Sequence, residues 1–325
     1  DFGVNAWYRN LGGGKFEDVS AKIGTDKPSY TMNVGITDLN RDGYPDVYIS
    51  NVVTMNKDEK YVMPSANMRM KFDPKKLANM RVVEANDLFT STGDGHLEQS
   101  KAIGRGISST GWSWDADFFD FDNDGDDDLY VVNGMNEYAV YSSVNPYFTD
   151  ATGAQRDIIM PVADAEESVF FVNEGGRLNE ESKKSGANRF GNSRSVAYLD
   201  YDDDGDLDMV LNNFNTPAEL YRNNSEKLGN HWLKIKLVGD PAKGVTRDAI
   251  GARILVDTKT QKGLWREVFS TIGYLSVHPK EQHFGLGADR KANVTVIWPG
   301  GEKQTFPAEA DRRYEVVQGS GVRQR

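Results

Sequence analysis

Nearly the same acidic string occurs three times in this chain, and that repetition limits the fold more than any other feature. The copies are "TMNVGITDLNRDGYPDVYISN" (31–51), "WSWDADFFDFDNDGDDDLYVVN" (112–133) and "SRSVAYLDYDDDGDLDMVLNN" (193–213). Their clusters begin at Asp38, Asp120 and Asp200, spaced 82 and 80 residues apart. Between them a second element recurs: "AWYRNLGGGKFEDVSAKIG" (6–24), "DLFTSTGDGHLEQSKAIG" (87–104) and "SVFFVNEGGRLNEESKKSG" (168–186), with a last partial copy at "AELYRNN" (218–224). Two elements returning in fixed order define a structural unit.

Within a unit, Val47-Tyr48-Ile49, Leu129-Tyr130-Val131 and Met209-Val210-Leu211 are short apolar runs bounded by Gly, Asp and Asn, which read as strands too short to be core helices. The second element places a glycine turn (Gly12-Gly13-Gly14, Gly93-Asp94-Gly95, Gly175-Gly176) between two such runs, a hairpin pattern. Each unit is then strand, acidic loop, strand, connection, strand, glycine turn, strand. Four antiparallel strands in tandem are the plan of a propeller blade; a long sandwich with chance similarity is the alternative. Only about three and a half units are present, whereas a closed ring takes about four to eight blades. Further blades are therefore expected upstream of this numbering or from another chain.

The acidic loops follow D-x-[DN]-x-D-G-x-x-D. Their side chains are Asp38, Asn40, Asp42 and Asp46; Asp120, Asp122, Asp124 and Asp128; Asp200, Asp202, Asp204 and Asp208. Alternate residues of a tight loop point inward, so positions one, three and five are expected to converge, with Gly43, Gly125 and Gly205 allowing the bend. The following residue (Tyr44, Asp126 or Asp206) offers a carbonyl, and the aspartate at nine closes the shell. Six aspartates within nine residues, as at 120–128, repel one another unless a cation sits among them. Hard oxygen donors in this number suit Ca2+, whereas Mg2+ gives up its waters reluctantly and zinc wants nitrogen or sulfur. About three calcium ions are expected. An EF-hand is excluded, because position twelve is Ile49, Val131 or Leu211, inside a strand, where that loop needs Glu.

Charge is correspondingly local. The net charge is −11, and the three loops alone carry −14, leaving about +3 elsewhere; nucleic acid is not the expected partner. No apolar run reaches the ~18–20 residues of a membrane-crossing helix. Cysteine is absent, which removes disulfides, thiol catalysis and thiolate metal sites. The first residues, "DFGVNAWYRN", have no signal-peptide pattern, so an export signal is expected outside this numbering.

From "HWLKIKLVG" (231–239) onward, Leu233, Ile235 and Leu237 alternate with Lys234 and Lys236, and "ARILVDT", "WREVFSTI", "NVTVIWPGG" and "YEVVQG" continue the pattern between turn signals. A small β-sandwich is the natural reading. The expected architecture is thus all-β: partial propeller blades over 1–228, then a sandwich over 229–320.

The acidic loops resemble those of FG-GAP/VCBS repeats in integrin-α-like propellers. The strings "DAIGARILVD" (248–257), "REVFSTIGYLSVHPKEQHFGLG" (266–287) and "VTVIWPGGEKQTF" (294–306) look like an ASPIC/UnbV domain. Repeats followed by that domain resemble the cartilage acidic protein family and its bacterial relatives. This resemblance implies a secreted or surface-exposed calcium-binding module with adhesive roles and no established catalysis.

A partner surface is expected on the face opposite the calcium loops, where the long connections 52–85 and 135–166 lie, the first basic and Met-rich (Met63 to Met80), the second aromatic (Tyr138, Tyr141, Tyr147, Phe148). Arg105, Trp112, Trp114, Tyr138, Tyr141 and Arg194 are the candidate contacts to a protein or glycan ligand, although strand-entry tryptophans more often pack between blades. Self-association into oligomers or fibres is an alternative. A polysaccharide-acting enzyme would have to use Asp115 and Asp117 as its carboxylate pair, and these read better as a packing or channel feature. His278 and His283 fit no usual metal spacing.

Overall fold

The structure, a computed structural model, describes residues 5–26, 31–52, 86–93, 96–100, 107, 110–134 and 166–325. The long connections, and with them Met63, Met80, Arg105, Tyr138 and Tyr141, lie outside the described residues.

The chain enters through a hairpin of β1 (Tyr8–Gly12) and β2 (Lys15–Asp18), followed by one helical turn, α1 (Ser20–Ile23). A four-stranded sheet follows: β3 (Thr31–Thr37), β4 (Asp46–Asn51), β5 (Asp87–Ser91) and β6 (Leu97–Gln99), antiparallel and in chain order. The second sheet repeats this order with β7 (Ser113–Phe119), β8 (Asp128–Asn133), β10 (Val169–Asn173) and β11 (Leu178–Glu180), then the turn α2 (Ser182–Ser185). The short β9 (Glu166–Glu167) pairs with β12 (Phe190–Gly191). A third sheet has β13 (Ser193–Leu199), β14 (Asp208–Asn213) and β15 (Glu219–Tyr221). None of these sheets closes on itself, as partial propeller blades require.

Burial explains why the second strands read as unbroken apolar runs. All six residues of β4 and of β8 are buried. Tyr48 packs with Leu129 and Val131 between the first two blades, while Tyr130 and Val132 pack with Val196 and Leu211 between the second and third. A strand covered on both faces loses the polar alternation of a half-exposed one. On the third blade the far face has no neighbour among the described residues: Val210 is half-buried, Phe214 and Leu220 are exposed, and so is Phe190 on β12 beside it.

Repetition extends to detail. Each first strand carries a bulge at the same place, at Met32, Trp114 and Arg194. The Tyr48 hydroxyl donates to the Ile107 carbonyl at 2.8 Å, and Tyr130 does the same to Ala187 at 2.9 Å. The helical turns α1 and α2, and the 3-10 turn Ser225–Leu228, each end on a glycine in the left-handed region, Gly24, Gly186 and Gly229. These turns were not expected from the sequence: four residues are too few to show helical periodicity, although glycine at C′ is the usual stop.

The C-terminal region forms two four-stranded sheets. One is ordered β19 (Gln282–Gly287), β16 (His231–Val238), β22 (Arg312–Val317), β23 (Gly321–Gln324); the other is β18 (Leu264–Glu267), β17 (Arg253–Thr258), β20 (Lys291–Ile297), β21 (Lys303–Glu309). They enclose one core of Leu233, Ile235, Ile254, Val294, Phe284 and Trp298. This sandwich sits on the acidic-loop end of the blades. Contact is so close that a Cβ at Gly285 would run into the Asp120 carboxylate and the Asn123 backbone. The Gly285→Ala variant is expected to lower the melting temperature and loosen this seat; an unchanged melt and unchanged hydrogen exchange at 120–125 would refute the packing described.

Candidate metal centre

Each acidic loop begins where an innermost strand ends and returns into the second strand. Position one folds the loop around itself. Asp38 accepts from the amides of Asp42 and Gly43, both at 2.9 Å; Asp120 accepts from Gly125 at 2.9 Å; Asp200 accepts from Asp204 at 3.2 Å and Gly205 at 3.0 Å. Position nine is a strut. One oxygen of Asp46, Asp128 or Asp208 accepts from the amide of Leu39, Phe121 or Tyr201, and the other accepts from Ser91, Asn173 or Asn223 at the end of the third strand. The loop is thereby tied to the hairpin of its own blade.

Among the described residues three carboxylate groups converge, with oxygens within 4.8 Å of one another: Asp120, Asp122 and Asp128; Asp200, Asp202 and Asp208; and Asp204, Asp206 and Glu226. Positions one, three and nine meet in the second and third loops, while position five turns back on its own backbone. Asp124 accepts from the Asp126 amide at 2.8 Å and Asp204 from the Asp206 amide at 3.3 Å. In the first loop Asn40 stands at position three, and its side chain bonds Asp42, which also accepts from Tyr44 at 2.9 Å. At position seven the Asp126 side chain faces Gly175 and Arg41, and that of Asp206 accepts from Ser225 and Glu226. Glu226 carries no loop motif and was not singled out by the sequence.

The second loop shows best what such a set requires. Asp120 is 1% exposed and its Oδ1 has no hydrogen-bond partner. Burial, then the neighbouring Asp124, Asp127 and Asp122, push its carboxyl well above the usual range; burial and Asp120 do the same to Asp128. Burial and Asp124 raise Asp122 to about 6. Asp46 in the first loop is raised to about 6, chiefly by burial, and Asp208 in the third is also raised by burial. A buried carboxylate oxygen without a donor, among like charges, is an atom that could serve as a cation ligand. The all-oxygen set fits Ca2+.

The sandwich meets all three position-one aspartates. Trp265 Nε1 donates to Asp38 at 3.1 Å, the Gly285 amide to Asp120 at 3.1 Å, and Lys234 pairs with Asp200. A cavity of about 310 Å3, lined by Asp120, Asp200, Lys234, Arg266 and His283 among others, lies at this junction. Position four, in the left-handed region in each loop, reaches the next unit along: Arg41 lies 3.6 Å from Asp126, Asn123 donates to the Gly205 carbonyl at 3.2 Å, and Asp203 accepts from Arg313 at 2.8 Å.

Asp115 and Asp117 are buried on β7 and hold a loop of the sandwich. Asp115 accepts from the Tyr274 amide at 2.9 Å, the Ser276 hydroxyl at 3.2 Å and Asn33 at 2.8 Å. The Tyr198 amide donates to His278 Nδ1 at 3.2 Å, which leaves Nε2–H to donate to Asp117 at 2.9 Å. Every polar atom of His278 is thus used. His283 Nε2 lies 2.6 Å from Asn123 Oδ1, and burial keeps this imidazole neutral. Of the candidate partner contacts, Trp112 donates its amide to Glu166 at 2.5 Å, and Arg194 is buried with its guanidinium 4.5 Å from the Trp114 ring centroid.

Comparison with known proteins adds the lineage of these parts. Residues 1–49 and 78–131 match the FG-GAP-like repeat, and 242–323 match the ASPIC and UnbV family. The chain carries both. Cartilage acidic protein 1 of Mus musculus is 26% identical over 320 residues, 97% of this chain and 41% of that protein; the Homo sapiens protein of the same name is 26% identical over 304 residues, 92% and 38%. The chain therefore spans about two fifths of the length of these curated relatives. The third loop, outside the matched repeat residues, has the same geometry as the second. Among the described residues no helix is long and apolar enough to cross a membrane.

The raised carboxyls give a signed expectation. A native pKa above the unfolded one means the folded state holds protons the unfolded state has released, so stability falls as pH rises from about 4 through about 6. In EDTA the protein should melt lower at pH 7.5 than at pH 5. A metal that takes the ionised form should abolish or reverse that order, and a melting temperature that rises with pH in EDTA would count against buried, uncompensated loops.

Proposed function

We propose that this chain is an extracellular calcium-binding module, with propeller blades over 1–228 and an ASPIC/UnbV-like sandwich over 229–320, that presents its surface to protein or glycan partners. The observation that carries the calcium reading is the convergence of Asp120, Asp122 and Asp128 around the unpartnered, buried Oδ1 of Asp120. Bound calcium would supply the positive charge that lets these carboxylates stay ionised. The chain's own residues do the rest. Position one brackets the loop, position nine ties it to the third strand, and the sandwich seats on position one. Calcium is in this reading structural.

Extracellular calcium modules bind at roughly 10⁻⁴–10⁻³ M, so such loops fill outside a cell and empty in cytosol. The similarity to cartilage acidic protein 1 supports the same setting. The sandwich covers the loop end of the blades, which favours the opposite face as the partner surface. No catalytic role is proposed: the donors on Asp115 and the His278 ring on Asp117 make them a pin for the loop carrying Tyr274 and His278.

A second reading, self-association, is favoured by the exposed Phe190, Phe214 and Leu220 on the third blade. Light scattering at several concentrations with and without calcium decides it, since a monomer throughout removes this reading.

Calcium should stabilise the fold by mass action, by about 2.7 kcal/mol per site at a hundredfold excess over Kd, and so raise the melting temperature over EDTA. Asp122→Asn should remove much of that gain. Superimposable melts in calcium and EDTA would overturn the proposal.

A further inference from the structure

The three loops share a motif, but the structure surrounds them with different charges. The strand register identifies equivalent positions: Leu129 pairs with Phe171, Val47 with Phe89, and Met209 with Tyr221, so the residues that follow, Val172, Thr90 and Arg222, occupy one place in the three blades. Only the third blade has a cation there. Arg222 donates from Nε to Asp202 at 2.7 Å and from Nη2 to Asp204 at 2.6 Å, and its Nη1 lies 3.6 Å from Glu226. From the other side Lys234, itself 2% exposed, pairs with Asp200. Positions one, three and five of the third loop are therefore each held by a basic side chain.

The second loop differs. Its nearby arginines are spent on positions seven and eight: Arg41 faces Asp126 at 3.6 Å and Arg266 binds Asp127 at 2.6 Å. Among the described residues no lysine or arginine forms an ion pair with Asp120, Asp122, Asp124 or Asp128, although Arg266 is near enough to offset part of the charge on Asp120. The Asp120 Oδ1 is buried and accepts from no protein donor. In the third loop the unpartnered buried oxygen is instead Oδ1 of Asp206, at position seven, away from the position-one carboxylate that Lys234 holds.

On the calcium reading above, we propose that the loops fill unequally: Arg222 and Lys234 act as built-in counter-cations that calcium must displace from the third loop, while the second loop has no ion pair at its converging positions and is the tight divalent site. A site whose competent state is only partly populated has its affinity reduced by that fraction. Positions one, three and five of the third loop are then offset in part by the protein when calcium is scarce and by the ion when it is plentiful, whereas the converging carboxylates of the second rely chiefly on the ion. The chemistry of the competitor is specific. A guanidinium spans two carboxylates with a planar fork, so it can bridge positions three and five, but it cannot gather four to six oxygens around one centre.

The test is a calorimetric Ca2+ titration of the full chain, with melting curves in EDTA to verify that each variant is folded. Asp122→Asn should abolish the tightest step and Asp202→Asn a weaker one. Arg222→Gln should tighten the step that Asp202→Asn removes by roughly tenfold and leave the tight step in place. Lys234→Met should act in the same direction, and it serves if Arg222→Gln does not fold. Conversely, Val172→Arg, which puts a guanidinium at the equivalent place in the second blade, should weaken the tight step. If calcium binds but the Asp202 step is unchanged or weaker in both Arg222→Gln and Lys234→Met, this inference is wrong and the calcium reading survives. If no calcium-dependent heat appears in the parent chain at millimolar ion, the calcium reading itself fails.

Discussion

Carboxylates withdrawn from water govern this structure. Taking an aspartate into a protein interior costs several kcal/mol unless donors or cations replace its hydration. Each loop answers with backbone amides on position one and backbone amides on position nine, and the second and third add a convergence of carboxylate oxygens. The amides at position nine come from the far end of the third strand, so the blade's hairpins must be correctly paired before the loop is satisfied. Charge and sheet register are therefore one problem. Loop geometry reports on the whole blade.

The same economy appears where the sandwich meets the blades. Asp115 and Asp117 would be costly where they lie if the loop carrying Tyr274, Ser276 and His278 did not fill the space beside them with donors. Asp115 is raised to about 7, by burial first and by Asp117 second. These polar contacts join the second blade to the sandwich beside a ring contact of Trp114 with Tyr274, centroids 5.2 Å apart. Elsewhere the junction uses glycines, since Gly205 would meet the Trp232 ring if it carried a Cβ.

Much of this was legible in the chain. The aspartate motif, its period and its apolar runs fix the blades, because a motif repeated in register cannot be chance and because two-sided burial leaves a run with no polar gaps. The sandwich follows from alternation at Leu233, Ile235 and Leu237. The helical turns were hidden by their shortness, although Gly24, Gly186 and Gly229 mark their ends. Arg222 and Glu226 were hidden for another reason: they lie 14 or more residues beyond the loop they serve, and only the pairing of Met209 with Tyr221 reveals that Arg222 stands beside it. Lys234 reads in sequence as the solvent side of a strand and is in fact buried against Asp200, because the blades cover that face.

The position-four residues carry a consequence for how such arrays grow. Arg41 and Asn123 each touch the following loop, but Asp203 touches Arg313 of the sandwich instead. The socket that links one blade to its successor is here filled by a different kind of domain. A tandem array needs a terminus whose outer surface tolerates water. By taking that place at the third loop, the sandwich serves as a lid on the series, made of separate stock but cut to the same joint.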